Sequence, residues 1–314
     1  MSTAAGTRRL ERRGSRPEGF LAVTMAVSVI VPAALVLMVL VLLRQAQPAI
    51  RQFGPSFLWK TAWNPVKLDF GALPFIYGTL LTSAIALAIA VPVGVGVAVF
   101  LAEPSAARVR SGIGLGVELL AAIPSVVYGI WALYVMAPFV LQHIETPVAA
   151  RLGAIPIFAG PPRATSLFSA SVVLAVMILP TLAAVSRDVI KAVPGGLREA
   201  SVALGATWTE TIWRVILPTA LPGIFGATIL ALGRALGETI AVTMVIGNRP
   251  EIQASWFAPA YTLASVIANE FAEATGKIYS SALVELGLIL ILVTLTVNLG
   301  AQLLVHSTHR RSGR

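Results

Sequence analysis

A chain of 314 residues that is 57% hydrophobic and only 12% charged has too little polar surface for a water-soluble fold, and its mean hydropathy of +0.84 belongs to a protein solvated largely by lipid. The formal charge of +9 raises nucleic acid as a partner, but the basic residues cluster beside apolar runs, where they orient a membrane protein, and no nucleic-acid partner is expected. With no cysteine, disulfides and thiolate metal sites are excluded.

Residues 1–19 hold Arg8, Arg9, Arg12, Arg13 and Arg16 among Pro and Gly and read as a disordered basic tail on the cytoplasmic side. Phe20 to Leu43 is an uncharged apolar run, too long for a signal-peptide core and without a convincing cleavage site, so it predicts a retained first span. Arg44 to Gly71, with Pro48, Pro55, Pro65, Trp59 and Trp63, predicts an irregular outside loop. Residues 20–70 then precede a main transmembrane domain over 71–305.

Leu73 to Leu101 predicts span two, with Thr79, Thr82 and Ser83 facing inward and Gly94 and Gly96 permitting close helix contact. Gly112 to Val140 predicts span three, kinked at Pro124. Gln142 to Phe168 reads as an outside loop and Thr165 to Ser186 as span four. Arg187 to Pro218 is cytoplasmic, Thr219 to Ile246 is span five, and Gly247 to Ser280 is outside. Ala282 to Val305 is span six, leaving 306–314 as a cytoplasmic tail in which His306 and His309 lack a third metal ligand, so no metal site is expected. This arrangement puts fourteen of the 23 Lys and Arg inside and eight outside, consistent with both termini being cytoplasmic.

The most informative stretch is Glu199 to Ile246. Its first part is mildly amphipathic, with Leu204, Trp208, Ile212 and Val215 recurring every three to four residues, and ends at Pro218. Glu199, Ala200, Ser201, Gly205, Val215, Leu217 and Pro218 follow the spacing E-A-A-x3-G-x9-I-x-L-P, with Ser and Val as the two departures. That pattern resembles the EAA loop of the membrane subunits of bacterial ABC importers. The following GRALGETIAVTMVIGN, with IPSVVYGIWALYV at Ile123 to Val135 and FAPAYTLASVIANEFAEA at Phe257 to Ala274, is similar to phosphate importer permeases of the PstC type.

The resemblance implies an all-α polytopic membrane protein of six transmembrane helices with the type I ABC importer (MetI-like) permease fold. The 188–218 loop would then be a pair of short coupling helices, bent near Gly205, docking into a cleft of a cytosolic ATPase. The implied partners are a second permease subunit (PstA-like), an ATPase dimer (PstB-like) and an extracytoplasmic phosphate-binding protein (PstS-like), all around membrane lipid. The chain itself has no G-x4-G-K-[ST] phosphate cradle and no catalytic constellation. It is therefore expected not to be an enzyme and to carry no cofactor, ATP and Mg being bound by the ATPase partner.

Within span five Arg234 and Glu238 stand four apart near mid-membrane, where a charge costs about 2.5–3.5 kcal/mol or more. Shared helical spacing predicts an ion pair facing the bundle interior or a pathway. The resemblance gives that pathway an anionic substrate, with the Arg234 fork contacting phosphate oxygens, Glu238 orienting it, and Thr239 and Thr243 adding hydroxyls. Ser125 and Tyr128, beside the Pro124 kink, are further pathway candidates. Asn269, Glu270 and Glu273 fall in an outside helix over 262–274 that would rest on the outer rim. The EAA spacing alone also fits importers of molybdate, sulfate or an amino acid, and an ion-coupled secondary transporter is the alternative of a different class.

Overall fold

The computed structural model describes residues 18–103 and 107–312; the basic tail lies outside the described residues apart from its last two positions. The chain divides into two units, Met1–Arg44 and Gln45–Arg314. Six helices are long and apolar enough to cross a membrane. The first unit contributes the uniformly apolar part of helix α1 (Glu18–Phe53).

The second unit begins inside α1, which stays helical through Pro48 rather than opening into a loop at Arg44. Its last turns are held by aromatic packing. Phe53 meets Phe57 and Phe70 at ring distances of 5.9 Å each, and Trp63 packs edge-on against Phe70 and Phe75 at 4.8 Å. A short 3-10 turn (Gly54–Leu58) and a two-stranded antiparallel hairpin, β1 (Trp63–Asn64) with β2 (Asp69–Phe70), take the place of the predicted irregular loop.

Helix α2 (Leu73–Ala102) carries Thr79, Thr82 and Ser83 inward, each no more than 2% exposed, as their spacing predicts. Helix α3 (Ala107–Ala122) is too short to span, and the chain breaks at Ile123–Pro124, because the ring of Pro124 disfavours helical geometry at Ile123. The third spanning helix is therefore α4 (Ser125–Leu152), displaced by about a dozen residues from the Gly112 to Val140 run. It takes in much of what the sequence assigns to an outside loop.

Helix α5 (Leu167–Lys191) is the centre of the bundle. Its apolar window is 61% buried, against 28% to 33% for the other spanning helices of this unit. It packs most extensively on α2, where Gly94 lets Leu182 approach: a β-carbon at Gly94 would sit 2.8 Å from that side chain. Gly96 makes no such approach. After α5 come α6 (Gly195–Ala203) and α7 (Trp208–Leu236). The predicted fifth span is not one helix: it stops at Leu236, and α8 (Ile240–Val245) follows a non-helical Gly237–Thr239. Helix α9 (Leu263–Glu270) and helix α10 (Lys277–Ser312) complete the unit.

Three π-helical turns, Ala132–Met136, Leu141–Glu145 and Ile212–Ile216, share one cause. Each ends two residues before a proline, namely Pro138, Pro147 and Pro218. A proline lacks the N–H that would bond the preceding turn, and its ring crowds that turn's carbonyl; widening the turn by one residue relieves the clash without ending the helix. This is why α7 runs straight through Pro218, where the amphipathic pattern predicts a stop.

The last part of the segment between α8 and α9, together with the first turn of α9, is packed into the bundle. Phe257 through Val266 is continuously buried. Its irregular backbone finds partners: Ala260 N–H donates to the Ile246 carbonyl at 3.0 Å and Arg249 N–H to that of Ala260 at 3.1 Å. Leu263 N–H donates to Thr79 Oγ1 at 2.9 Å. Non-helical backbone is tolerated inside a membrane protein only on such terms.

Candidate functional site

Two regions carry the predicted site residues, and the first is the hairpin of α6 and the start of α7. Gly205 lies in the turn between them with φ +90°, a conformation that disfavours any side chain. Thr207 then caps α7. Its hydroxyl accepts from Glu210 N–H at 3.3 Å while Glu210 Oε2 accepts from Thr207 N–H at 2.9 Å, a reciprocal capping box. Ser201 Oγ meets Thr211 Oγ1 at 2.9 Å, which clamps the two helices side by side. Val215 lies in the π turn, and Leu217 and Pro218 follow directly where α7 resumes α-helical winding.

Between these helices lies an open groove of about 530 Å3, lined by Leu197, Ala200, Ser201, Leu204, Gly205 and Val215 among others. Leu204 is 89% exposed and Trp213 68%. Glu199 is exposed. An apolar groove and bare Leu and Trp on a hairpin that α7 continues into the membrane make a surface suited to a protein partner.

Arg198, which motif spacing did not single out, fixes this hairpin to the bundle. Its guanidinium donates to the carbonyls of Val193 at 3.0 Å and Ile190 at 2.9 Å, at the end of α5. It also lies 3.6 Å from the carboxylate of Glu103, a buried residue at the C-terminal end of α2. Helices α6, α5 and α2 are thus joined at one side chain.

The second region is within the bundle. Arg234 and Glu238 do not form the predicted pair. The break at Gly237 removes the helical register that would superpose them, and they enter different surroundings. Arg234 is exposed and lines an open groove of about 400 Å3 with Thr181, Gly233, Asn298 and Gln302. Glu238 turns to a small space shared with Thr79, Thr82, Ser83 and Thr262. There its Oε1 accepts from Ala241 N–H at 3.4 Å, at the first turn of α8.

The hydroxyl candidates are engaged locally. Thr239 donates to the Gly237 carbonyl at 3.2 Å, Thr243 to that of Thr239 at 2.7 Å, and Tyr128 to that of Leu120 at 2.8 Å. Ser125 opens α4 and is half-buried. These oxygens keep their acceptor capacity; donation to an anion requires each to leave its present bond. Asn298 and Gln302, one turn apart on α10, were legible as polar residues in an apolar run. Asn298 Oδ1 is buried with no hydrogen-bond partner among the described residues.

Two carboxylates take up positions that the sequence reading did not give them. Glu145, assigned to an outside loop, is fully buried in the second π turn of α4 and accepts from Ser166 Oγ at 2.6 Å and Ser169 Oγ at 3.3 Å at the start of α5. Glu270, assigned to a docking rim, accepts from Trp63 Nε1 at 2.8 Å and from the Tyr279 hydroxyl at 2.6 Å, closing the hairpin over α9 and α10. Asn269 donates to the Tyr261 hydroxyl at 3.0 Å; burial first, with the Glu270 charge adding to it, pushes the Tyr261 phenol above its ordinary value. Glu273 remains exposed. The side chains of His306 and His309 lie outside the described residues.

A six-span bundle that extends one long helix into a cytoplasmic hairpin defines a transport-system membrane subunit. Residues 90–311 match the family described as "Binding-protein-dependent transport system inner membrane component", and the chain belongs to that family. It is 45% identical to the phosphate transport system permease protein PstC of Mesorhizobium japonicum, over 94% of this chain and 91% of that one. It is 44% identical to PstC of Pasteurella multocida, over 83% of each.

Solved structures agree on the fold. The MetNI methionine ABC transporter in inward-facing conformation matches with a TM-score of 0.54 at 20% identity, covering 74% of this chain and 94% of that one. A bacterial alginate ABC transporter, solved with its alginate pentasaccharide-bound periplasmic protein, matches with a TM-score of 0.58 at 16% identity, over 90% and 93%. The chain is thus a multi-pass inner-membrane permease subunit with the type I ABC importer fold.

Proposed function

We propose that this chain is one permease half of an ATP-driven importer that carries inorganic phosphate across the cytoplasmic membrane by alternating access. What carries the reading is near full-length similarity to PstC permeases at up to 45% identity, together with an intramembrane Arg234 that, instead of pairing with Glu238, lines an open groove where Thr181, Asn298 and Gln302 stand among apolar residues. A charge at membrane depth without a carboxylate partner has a use for an anion.

In this reading a PstA-like permease faces the Arg234 groove and completes the pathway. A PstB-like ATPase dimer, which binds ATP and Mg, takes the exposed Leu204 and Trp213 and the groove beside Gly205. A PstS-like binding protein delivers phosphate from outside. This chain contributes no cofactor and no covalent chemistry. ATPase closure pushes the hairpin, and α7 carries that motion as one continuous helix from Trp208 to Arg234. Arg198 passes it to α5 and α2.

The test is Arg234→Gln in the complete complex. A hydrogen bond to a charged group contributes about 1.5–3 kcal/mol. Uptake of radiolabelled phosphate should therefore fall at least about tenfold, with assembly and basal ATP hydrolysis retained. Arg234→Lys should also transport poorly, since it keeps the charge without the fork. Wild-type uptake by Arg234→Gln, at equal protein level, would remove Arg234 from the pathway.

A further inference from the structure

On the cytoplasmic side, apart from both regions above, α3 and the end of α5 enclose an open groove of about 390 Å3. One wall is a stripe of α3 that begins with Arg110 and Ser111, continues through Leu115 and ends at Glu118. The other is Arg187 and Lys191, one turn apart on α5, and Leu101 of α2 contributes an apolar floor. Three cations converge there. The one carboxylate in the lining, Glu118, stands eight residues from Arg110, about 12 Å along the helix.

Arg187 shares its charge with Asp188 at 3.1 Å. Arg110 and Lys191 have no carboxylate partner among the described residues. Next to them the α3 surface turns apolar: Leu115 is 58% exposed and Leu119 59%. A groove with two unneutralised cations at one end and bare leucine leading away from it is complementary to a molecule with an anionic head and a hydrocarbon tail. A free inorganic anion would use the cations alone and gain nothing from the adjoining leucines.

We propose that this groove binds an anionic phospholipid of the cytoplasmic leaflet. Arg110 and Lys191 hold the headgroup phosphate oxygens, Ser111 adds a hydroxyl, and Leu101 and Leu115 lie along an acyl chain. Basic pockets between helices on this side are suited to such headgroups, and the bilayer supplies them at high local concentration. The site lies at the junction of α2, α3 and α5, so the lipid joins α3 to the bundle.

The complete complex, placed in nanodiscs of mixed phosphatidylcholine and phosphatidylglycerol and released into native mass spectrometry, tests this directly. Wild type should retain phosphatidylglycerol over phosphatidylcholine. Arg110→Gln and Lys191→Gln should each lower that preference about fivefold, and the double variant about twenty-five-fold. Arg151→Gln, a cation elsewhere on the surface, should leave it unchanged. If the double variant does not assemble, the two single variants carry the test. Equal retention of phosphatidylglycerol by wild type and either single variant overturns the proposal. So does displacement of the lipid by millimolar inorganic phosphate, which would mark a free-anion site, or a wild-type complex with no preference because another subunit covers the groove.

Discussion

Arg198 concentrates three structural roles in one side chain, and its loss has a calculable sign. Glu103 is 5% exposed, and Arg198 is the cation that faces it. Arg198→Ala leaves that carboxylate buried and unpaired, at a cost of about 3 kcal/mol. We expect a lower thermal midpoint for the complex, and recovery of part of it when Glu103→Gln is added. A full-stability single variant would show that the ion pair contributes nothing. Arg234 and Glu238 behave differently. Because each has its own surroundings, Glu238→Gln should not restore the uptake lost in Arg234→Gln; restored uptake in the double variant would return them to the paired arrangement that helical spacing predicts. That spacing failed for a local reason. Gly237 ends α7 between them, and a single glycine inside an apolar run does not announce a break.

The hairpin of α6 and the start of α7 shows what an element needs beyond its motif. Gly205 occupies φ +90°, and a β-carbon there would meet no atom within 4 Å. The cost of Gly205→Ala is therefore conformational, about 1–2 kcal/mol for a left-handed residue, and falls on the turn alone. We expect the variant to insert and assemble normally while phosphate uptake per ATP hydrolysed drops; Gly205→Asn should retain more of it, since Asn visits left-handed geometry more readily. Unchanged stoichiometry in Gly205→Ala would mean that the turn's shape is irrelevant to coupling. The π turns belong to the same scale. Pro138, Pro147 and Pro218 read in sequence as stops or kinks, yet each is absorbed by a widened turn just before it. Whether a helix ends or adjusts at proline is decided by what the flanking turns pack against, which no local pattern contains.

For the whole molecule, the buried segment from Phe257 to Val266 is the decisive feature, because it ties the outer ends of α2, α9 and α10 together. Gly78 on α2 makes room for it: a methyl group at that position would collide with the Tyr261 carbonyl. Gly78→Ala should therefore lower complex yield and uptake together. Gly96→Ala, on the same helix with nothing within 4 Å, should leave both unchanged. Equal behaviour of the two variants would mean that the segment is free to move aside. The rigidity of this outer region contrasts with the open grooves at Arg234 and Gly205, and it leaves the inner ends of α5 and α7 as the parts that a partner can displace.

Composition, run length and the distribution of Arg and Lys were enough to determine a six-span inner-membrane protein, because lipid imposes one demand on every crossing segment: enough apolar residues with their backbone bonded internally. The EAA spacing from Glu199 to Pro218 likewise located a helical hairpin bent at Gly205, since a bend and two short helices are set by residues close in the chain. Tertiary structure decided the rest. It placed Glu145 and Glu270 inside, separated Arg234 from Glu238, moved the third span to Ser125–Leu152 and buried the segment after α8. The placing of Glu145, of Glu270 and of the buried segment depends on contacts between residues distant in sequence, Glu145 with Ser166, Glu270 with Trp63 and Leu263 with Thr79, whereas the other two follow local breaks at Gly237 and Pro124 whose effect shows only in the folded chain. A buried polar group is stable only where such a partner happens to meet it, and the position of that partner is a property of the assembled bundle.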